Sequence, residues 1–426
     1  MEADGPFYRR ERARLLAALT RVFGVENLSL AEDVVQETLA KAFETWAFGG
    51  VPEHHSALLM ASAKNRALDV FRRERTARKF APALQHVIES EWTLRPAVEE
   101  LFLPKALQDD ELRMMFSCCH PQLAEEAQVA LILNMLCGFG VEEIARIYLA
   151  SVAAVEKRIS RGKKILGAAQ RLFELTAKDF APRLSAVHRA LYLLFSEGYH
   201  GASDEAVIRA ELCREALRLA RLLVDHAPAA TSATYAVAAL MCLDAARLPG
   251  RTDEIGDLIA LVEQDRSRWD AKLIAEGLAF LEQSATGSEL SEYHLEAAIA
   301  GMHATASRFA DTRWGEIVGL YDMLLTVRPS PVVALNRAMA VAQLEGPEKG
   351  LESIEAISGI ERLEDYPFYA AALGELELRC RRIEVARAHF EKALDLARNE
   401  AERRFLARRV EDCAGGKPAI SRATLP

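Results

Sequence analysis

Apolar residues in this chain recur at helical steps, and this periodicity restricts the fold more than any other feature of the sequence. Between residues 151 and 166 the apolar positions are Val152, Val155, Ile159 and Leu166, spaced by three, four and seven residues. Such spacing lines up one stripe of an α-helix. Alternation with a period of two is absent, and Gly and Pro fall between the periodic stretches. We therefore predict an all-α protein.

A second amphipathic stretch, LSLAEDVVQETLAKAFETW, predicts a helix with one buried and one acidic face. Its apolar stripe consists of Val35, Leu39, Ala42, Phe43 and Trp46. Ser29 followed three residues later by Glu32 is typical of a capping box, which predicts that this helix begins there. Ser151 occupies the corresponding N-cap position of the helix at 152–166.

Length and composition indicate a soluble protein of several domains. A chain of 426 residues, half of them hydrophobic, is expected to form two to four domains. No run of about 18 apolar residues occurs and the N-terminus is charged, so we expect neither a signal peptide nor a membrane span. The seven cysteines are odd in number and scattered, which favours a reducing, cytoplasmic compartment.

The net charge of -9 is unevenly distributed along the chain. Residues 1–171 contain 23 basic and 23 acidic residues, whereas residues 172–426 contain 30 basic and 39 acidic residues. Within residues 1–171, the stretch from Lys64 to Lys79 contains seven basic and two acidic residues. The stretch from Glu156 to Arg171 contains six basic residues and one acidic residue. Two basic islands suit contact with a phosphate backbone, whereas the acidic remainder would repel nucleic acid.

Periodicity and proline placement divide the chain into four parts. A helical block at 7–80 is followed by an acidic segment with three prolines at 81–110, which is predicted to be a linker. A second helical block at 111–172 contains a short helix, a turn and the basic helix, the sequence form of a helix-turn-helix. The residues alone leave a solvated helix of an ordinary all-α protein open as the alternative.

Residues 183–413 form the fourth part, a predicted helical array with an internal repeat. An offset of 36 residues aligns Ala338, Ile354 and Ile357 with Gly374, Phe390 and Ala393. This pattern is typical of tetratricopeptide-like repeats, which stack into a solenoid used for binding.

The order of these parts resembles the bacterial extracytoplasmic-function (ECF) RNA polymerase sigma factors, in the group with a C-terminal tetratricopeptide extension. The likeness is carried by AEDVVQETLAKAFETW and AKNRALDVFRRER for region 2, and by GFGVEEIARIYLASVAAVEKRISRGKKIL for region 4. It covers residues 1–172 closely and the rest more loosely. It implies two small helical sigma domains, a linker and an α-solenoid in a protein that is not an enzyme and holds no cofactor. Its partners would be core RNA polymerase and promoter DNA.

The resemblance also implies three sets of site residues. The acidic helix face that docks on the polymerase contains Asp33, Gln36 and Glu37. Residues that hold the melted -10 element, after the loop at 48–56, are Lys64, Asn65, Arg66, Arg72, Arg73 and Arg75. Residues of the helix that enters the major groove of the -35 element are Ser151, Ala154, Lys157, Arg158, Arg161 and Lys163. Leu58 stands where many relatives carry a tryptophan, and Leu149 stands where a glycine is common.

The resemblance leaves the extension and the linker with more than one interpretation. The extension is a candidate built-in regulator or a docking surface for a protein or small molecule. In the stretch HRALYLLFSEGYHGAS, the residues Glu197, Tyr199 and His200 form either a ligand site or a packing corner, and we favour packing. The acidic linker either follows the RNA path of the polymerase or is a plain tether.

Two other functions compete with a sigma factor. A stand-alone helix-turn-helix regulator with a helical-repeat sensor would bind duplex operator without polymerase, but it leaves the acidic face at 33–37 without a purpose. An enzyme would have to use Cys118, Cys119 and His120, which are adjacent and lack two further ligands at a spacing that zinc requires. We therefore expect no metal site and no catalytic residue.

Overall fold

The computed structural model describes residues 6–73, 104–148, 150–168, 177–200 and 208–415. Within these ranges the chain is all-α, as predicted, and the strand-like pairing is limited to one bridge between Thr252 and Leu258. The chain divides into two compact units, Met1–Leu194 with Arg221–Ala229, and Phe195–Ala220 with Ala230–Pro426. No helix of the described ranges is long and apolar enough to cross a membrane.

In the described ranges, seven α-helices build the two predicted helical blocks of the first unit. They are α1 (Pro6–Phe23), α2 (Leu28–Gly49), α3 (His55–Arg73), α4 (Pro104–Cys118), α5 (Glu125–Met135), α6 (Val141–Ile147) and α7 (Val152–Ala168). Helix α1 packs against α2, α3 and α4, with Leu15, Leu16 and Leu19 fully buried. Each such leucine contributes about 1.5–3 kcal/mol to folding. The first helix therefore joins the two blocks into one core.

Of the nine predicted stripe positions, six are buried, Ala42 and Phe43 are half-buried, and one is exposed. Val155, Ile159 and Leu166 of α7 are buried, as are Leu39 and Trp46 of α2. Val152, the first residue of α7, is 46% exposed, so its assignment to the stripe was wrong. The buried side of α7 begins one turn later, at Val155.

The two predicted helix starts have different outcomes. The hydroxyl of Ser151 accepts a hydrogen bond from the backbone amide of Ala154 at 3.3 Å, which confirms the N-cap of α7. The predicted capping box at Ser29 is wrong, because α2 already begins at Leu28. The carboxylate of Glu32 instead accepts a hydrogen bond from Lys163 Nζ at 2.6 Å. Glu32 therefore makes a long-range ion pair with Lys163 instead of the local hydrogen bond of a capping box.

Two predicted domain boundaries also move. Helix α4 begins at Pro104, so residues 104–110 are helical rather than part of a linker, and residues 81–103 lie outside the described ranges. The reason is Asp110, which is fully buried and pairs with Arg21 at 2.8 Å. At the other boundary, Phe180 packs edge-on against Phe116 and Arg183 donates to the carbonyl of Phe116. The first unit therefore extends past residue 183.

The remaining helices continue to residue 414. Helices α8 (Ala177–Phe180), α9 (Leu184–His200) and α10 (Ala210–Val224) are followed by α11 (Ser232–Ala245), α12 (Ala271–Ser284), α13 (Glu292–Thr305), α14 (Trp314–Val327), α15 (Pro331–Leu344), α16 (Pro347–Glu355), α17 (Pro367–Arg379), α18 (Ile383–Asp395) and α19 (Glu400–Ala414). Helices α9 and α10 contribute residues to both units.

The internal repeat corresponds to two helical hairpins, α15–α16 and α17–α18. Their first helices begin at Pro331 and Pro367 and their second helices at Pro347 and Ile383, an offset of 36 residues in both cases. A Cβ atom at Gly374 would lie 3.0 Å from the ring of Phe390, which explains a glycine where the two helices of a hairpin meet. The alignment found in the sequence therefore follows real helix boundaries.

The aromatic-glycine stretch at 197–200 lies at a packing corner of the second unit. Tyr199 is buried, its ring stacks on Phe195, and the guanidinium of Arg251 lies 3.9 Å from the ring centroid. A Cβ atom at Gly198 would lie 2.8 Å from the backbone oxygen of Arg209 and the backbone nitrogen of Cys213. Backbone atoms cannot move aside without shifting α10, so this position requires glycine.

This packing predicts opposite effects for two glycine substitutions in helices. Gly198→Ala should lower the free energy of unfolding by about 1–3 kcal/mol through overpacking against α10. Gly319→Ala in α14, where no atom lies within 4 Å of the added methyl group, should raise it by about 0.5–1 kcal/mol through helix propensity. Thermal and urea unfolding of the full chain measure both. Equal effects of the two substitutions would contradict this account of the corner.

Candidate nucleic-acid interface

Helix α7 presents a basic stripe on the side opposite its buried face. Gly162 is buried, and a Cβ atom there would lie 2.7 Å from Leu131 Cδ1, so α7 lies close against α5. The cations Lys157, Arg161 and Lys164 are exposed and are spaced by four and three residues. This spacing puts them on one helix face. Lys164 was not among the predicted residues, although its distance of seven residues from Lys157 places it on the same helix face.

The six predicted -35 residues do not all lie on this free surface. Ser151, Lys157 and Arg161 are exposed, whereas Ala154 and Arg158 are half-buried. Lys163 is turned toward α2, where its ammonium group pairs with Glu32, and the two side chains are 27% and 26% exposed. A groove of about 450 Å³ beside this pair is lined by residues of α7 and of the α1–α2 connection. Lys163 therefore holds the two helical blocks together in this conformation.

Helix α2 carries the predicted polymerase-docking face on its outer side. Asp33, Gln36 and Glu37 are all exposed, while Val34 and Val35 between them are buried. The acidic side of α2 is thus exposed while its apolar side is buried, as the helical spacing predicts.

One ion pair connects residues that were assigned to two different partners. Arg66 of α3 donates to the carboxylate of Glu37 through Nε at 3.0 Å and through Nη2 at 2.7 Å. Such a two-point contact is a favourable geometry for an arginine and a carboxylate. Arg66 was predicted to contact DNA and Glu37 to contact polymerase, so the two predicted surfaces adjoin each other. The sequence analysis missed this pair because 29 residues separate its members.

The other predicted -10 residues follow α3 toward its end. Lys64 is half-buried and Asn65 is exposed. Arg72 and Arg73 lie in the last turn of α3, with their side chains outside the described part of the structure, and Arg75 lies outside the described residues. The structure therefore brings Asn65 and Arg66 to the surface of α3 and tests none of the three later arginines.

Two exposed apolar side chains flank the turn between α2 and α3. Val51 is 50% exposed and Leu58 is 51% exposed. Gly50, which ends α2, has φ 77°, a conformation that favours glycine. At the other side of the turn, Ser56 donates to the carboxylate of Glu11 at 2.9 Å, which ties the start of α3 to α1. The turn is therefore anchored while its apolar side chains stay accessible.

Three arginines of α1 reach the second helical block. Arg9 pairs with Glu143 at 2.8 Å and lies over the ring of Phe139, and Arg12 donates to the backbone oxygen of Asn134 at 2.7 Å. Arg21 pairs with the buried Asp110. These contacts, which bring both candidate nucleic-acid surfaces into one compact unit, were not predicted. The basic run in YRRERARLL was the only signal.

The adjacent Cys118 and Cys119 do not resemble a reactive or metal-binding site. Both thiols are buried, and burial raises their pKa, that of Cys119 to about 12. Burial therefore disfavours the thiolate form that a nucleophilic cysteine requires. Among the described residues no group of three or more His, Cys, Asp or Glu side chains is placed to hold a metal ion.

Comparisons with known proteins agree with the geometry of the second helical block. Residues 113–166, from the second half of α4 to α7, match the family described as Sigma-70, region 4. Residues 183–285 match a family of unknown function (DUF6596). No solved structure matches the chain.

One relative of similar length matches this chain along almost its whole length. The uncharacterized protein R00370 of Rhizobium meliloti (strain 1021) is 36% identical over 413 residues, which cover 96% of this chain and 96% of the relative. The region 4 match supports a sigma-70 family factor or a DNA-binding role. The chain therefore belongs to the same family as the Rhizobium meliloti protein, and its residues 113–166 form a sigma-70 region 4 domain.

Proposed function

We propose that the protein is an ECF-type sigma factor that directs core RNA polymerase to promoters. The observation that carries the proposal is the region 4 domain, whose last helix exposes the basic stripe Lys157, Arg161 and Lys164. In a major groove these cations contact phosphates and base edges near the N-terminal end of the helix. They release counterions from the -35 element, which makes binding depend steeply on salt.

The first helical block performs the other two tasks of this proposal. The exposed face of Asp33 and Gln36 docks on the polymerase. The turn between α2 and α3 receives the melted -10 strand, with Val51 and Leu58 as the apolar platform for an unstacked base and Asn65 as a polar contact. The Leu58 platform offers less stacking area than an aromatic ring, so the base pocket differs from that of relatives with tryptophan at this position.

The two blocks have to separate for this function. Elements centred at -10 and -35 are about 25 base pairs apart, which corresponds to about 85 Å of duplex at 3.4 Å per pair. In this structure Lys163 and Glu32 are in direct contact. The ion pairs between the blocks therefore belong to the free chain and are exchanged for polymerase and DNA contacts in the initiation complex.

The second unit is proposed to regulate this activity or to dock a partner. Its two hairpins with a 36-residue offset support a tetratricopeptide-like array, an architecture that serves binding. We also place the protein in the cytoplasm, where its polymerase partner is. A stand-alone helix-turn-helix regulator remains the second candidate, because the basic stripe of α7 suits that role equally well.

Run-off transcription separates the two candidates. The chain with core polymerase and a promoter library should give specific transcripts, and the chain alone should not shift promoter duplex. A shift of duplex by the chain alone, with no transcript in the presence of core polymerase, would favour the regulator.

The docking face can be tested by charge reversal. Asp33→Lys with Gln36→Lys should lower run-off transcription at least tenfold, because both side chains are exposed and have no role in the core. Glu37 is left unchanged, since its loss would also free Arg66. Glu361→Lys with Ser358→Lys, at two exposed positions of the second unit, is the charge-matched control, since both double variants change the net charge by +3. Normal transcription by the double variant would refute docking through this face.

The basic stripe of α7 predicts a change in salt dependence. Lys157→Gln, Arg161→Gln or Lys164→Gln should each weaken holoenzyme binding to the promoter and lower the slope of log K against log salt by about 1. Lys41→Gln on the exposed side of α2 is the control and should leave the slope unchanged. Slopes that stay at the wild-type value in all three variants would mean that the stripe contacts no phosphate.

Removal of the Lys163–Glu32 ion pair should raise the affinity of the chain for core polymerase and promoter DNA. Glu32→Gln frees the ammonium group of Lys163 in the free chain, and a partly exposed pair is worth up to about 1 kcal/mol. The affinity of the free chain for core polymerase and promoter together should therefore rise up to about fivefold. In a Lys163→Gln background the same substitution should have no effect. An equal gain in both backgrounds would show that the pair does not restrain Lys163.

A further inference from the structure

The second unit contains a cavity of about 730 Å³, a volume typical of small-molecule sites. Its wall is made by the first turns of three helices, which begin at Ala210, Ala271 and Glu400, together with the segment 248–256. These elements come from distant parts of the chain, so no local motif could reveal the cavity in the sequence.

The cavity is lined mainly by apolar side chains. Leu217, Leu248 and Leu273 contribute to its wall. At its edge lies Ile255, which is 78% exposed, more than any other large hydrophobic residue of the described ranges. Its neighbour Gly256 has φ 83°, a conformation that favours glycine and shapes the turn. An apolar lining with an exposed isoleucine at its edge suits a ligand with an apolar body.

Asn399 supplies a polar group that lacks a partner. Its side-chain oxygen caps α19 by accepting from the backbone amide of Glu402 at 2.9 Å. The side-chain nitrogen of the same residue has no hydrogen-bond partner among the described residues, although Asn399 is only 4% exposed and lines the cavity. A buried donor without an acceptor costs about 1–3 kcal/mol. A ligand oxygen in the cavity would remove that cost.

The charged residues of the cavity wall are two carboxylates and two arginines. The two carboxylates of its wall are occupied, since Asp270 accepts from the backbone amides of Lys272 and Leu273, and Glu400 lies within 4.0 Å of Arg403 and Arg404. The Arg214 side chain also lines the wall and is exposed.

The segment that contributes Leu248 to the wall carries charges of both signs. It carries Arg247, whose guanidinium lies 3.9 Å from the carboxylate of Asp244, and the buried Arg251, which donates to the backbone oxygen of Tyr199. The same segment also carries Asp253 and Glu254, so its net charge does not select an anion. The case for a carboxylate rests on the amide donor of Asn399 and on Arg214 in the wall.

We propose that this cavity binds a small amphipathic carboxylate, with its apolar chain among Leu217, Leu248 and Leu273 and its carboxylate accepting from Asn399 Nδ2 near Arg214. The proposal concerns binding by the second unit and does not depend on the sigma-factor function. Such a ligand would either signal to the second unit or stabilise one of its conformations.

Decanoate is a suitable probe, compared in calorimetry with decanol and acetate on the full chain below the concentrations at which micelles form. Decanoate should bind with a dissociation constant below about 1 mM. Decanol, which lacks the charge, and acetate, which lacks the chain, should bind at least tenfold more weakly.

Two variants locate the binding. Asn399→Asp keeps the oxygen that caps α19 but removes the amide donor and adds a negative charge, so decanoate affinity should fall at least tenfold. Arg214→Gln, at an exposed position, should lower it about threefold to tenfold with an unchanged melting temperature. Arg362→Gln, at an exposed position of the second unit outside the lining, is the control and should bind decanoate like the wild type. Equal affinity for decanoate and decanol, or unchanged decanoate affinity in Arg214→Gln and Asn399→Asp, would overturn the proposal.

Discussion

The contacts of α1 with the second helical block determine how the first unit is built. Arg21 neutralises the fully buried carboxylate of Asp110, while Arg9 reaches Glu143. A buried carboxylate without its partner is strongly destabilising, so the arginine and the carboxylate stabilise the unit only together. Because the arginines lie on one block and the carboxylates on the other, the blocks are joined by charge as well as by the apolar side of α1.

The same arrangement explains why cations of the candidate interface are occupied in the free chain. Arg66 is paired with Glu37 and Lys163 with Glu32, so two acids of α2 neutralise residues that the proposed function assigns to DNA. Both pairs are partly exposed and therefore weak. Weak pairs can be exchanged at low cost when a partner with many phosphates or charges arrives. Under the proposed function, α2 thus docks on the polymerase and also pairs reversibly with two cations of the candidate interface, Arg66 and Lys163.

Local features of this protein were predictable from the sequence, and long-range ones were not. Helical class, the buried Val155 and Ile159, the N-cap at Ser151 and the exposed Lys157 all follow from spacing within one helix. Apart from Val152 and Lys164 of α7, the failures concern residues whose partners are distant. Glu32 looked like half of a capping box because its true partner is 131 residues away, and Asp110 looked like part of an acidic linker because its pairing with Arg21 is invisible in the local pattern. The cavity beside Asn399 was not predicted for the same reason, since the helices that form its wall are distant from one another in the sequence.

The central claim is that the two helical blocks touch in the free chain and separate when the protein works on a promoter. Fluorescence energy transfer between dyes at Ser62→Cys on α3 and Glu126→Cys on α5, in a Cys380→Ser background, measures this distance directly, because the other native cysteines are buried. Transfer should be high in the free chain and should fall by an amount that corresponds to tens of ångströms in the complex with core polymerase and promoter DNA, given the roughly 85 Å between the two elements. High transfer that persists in a complex actively synthesising RNA would contradict the account.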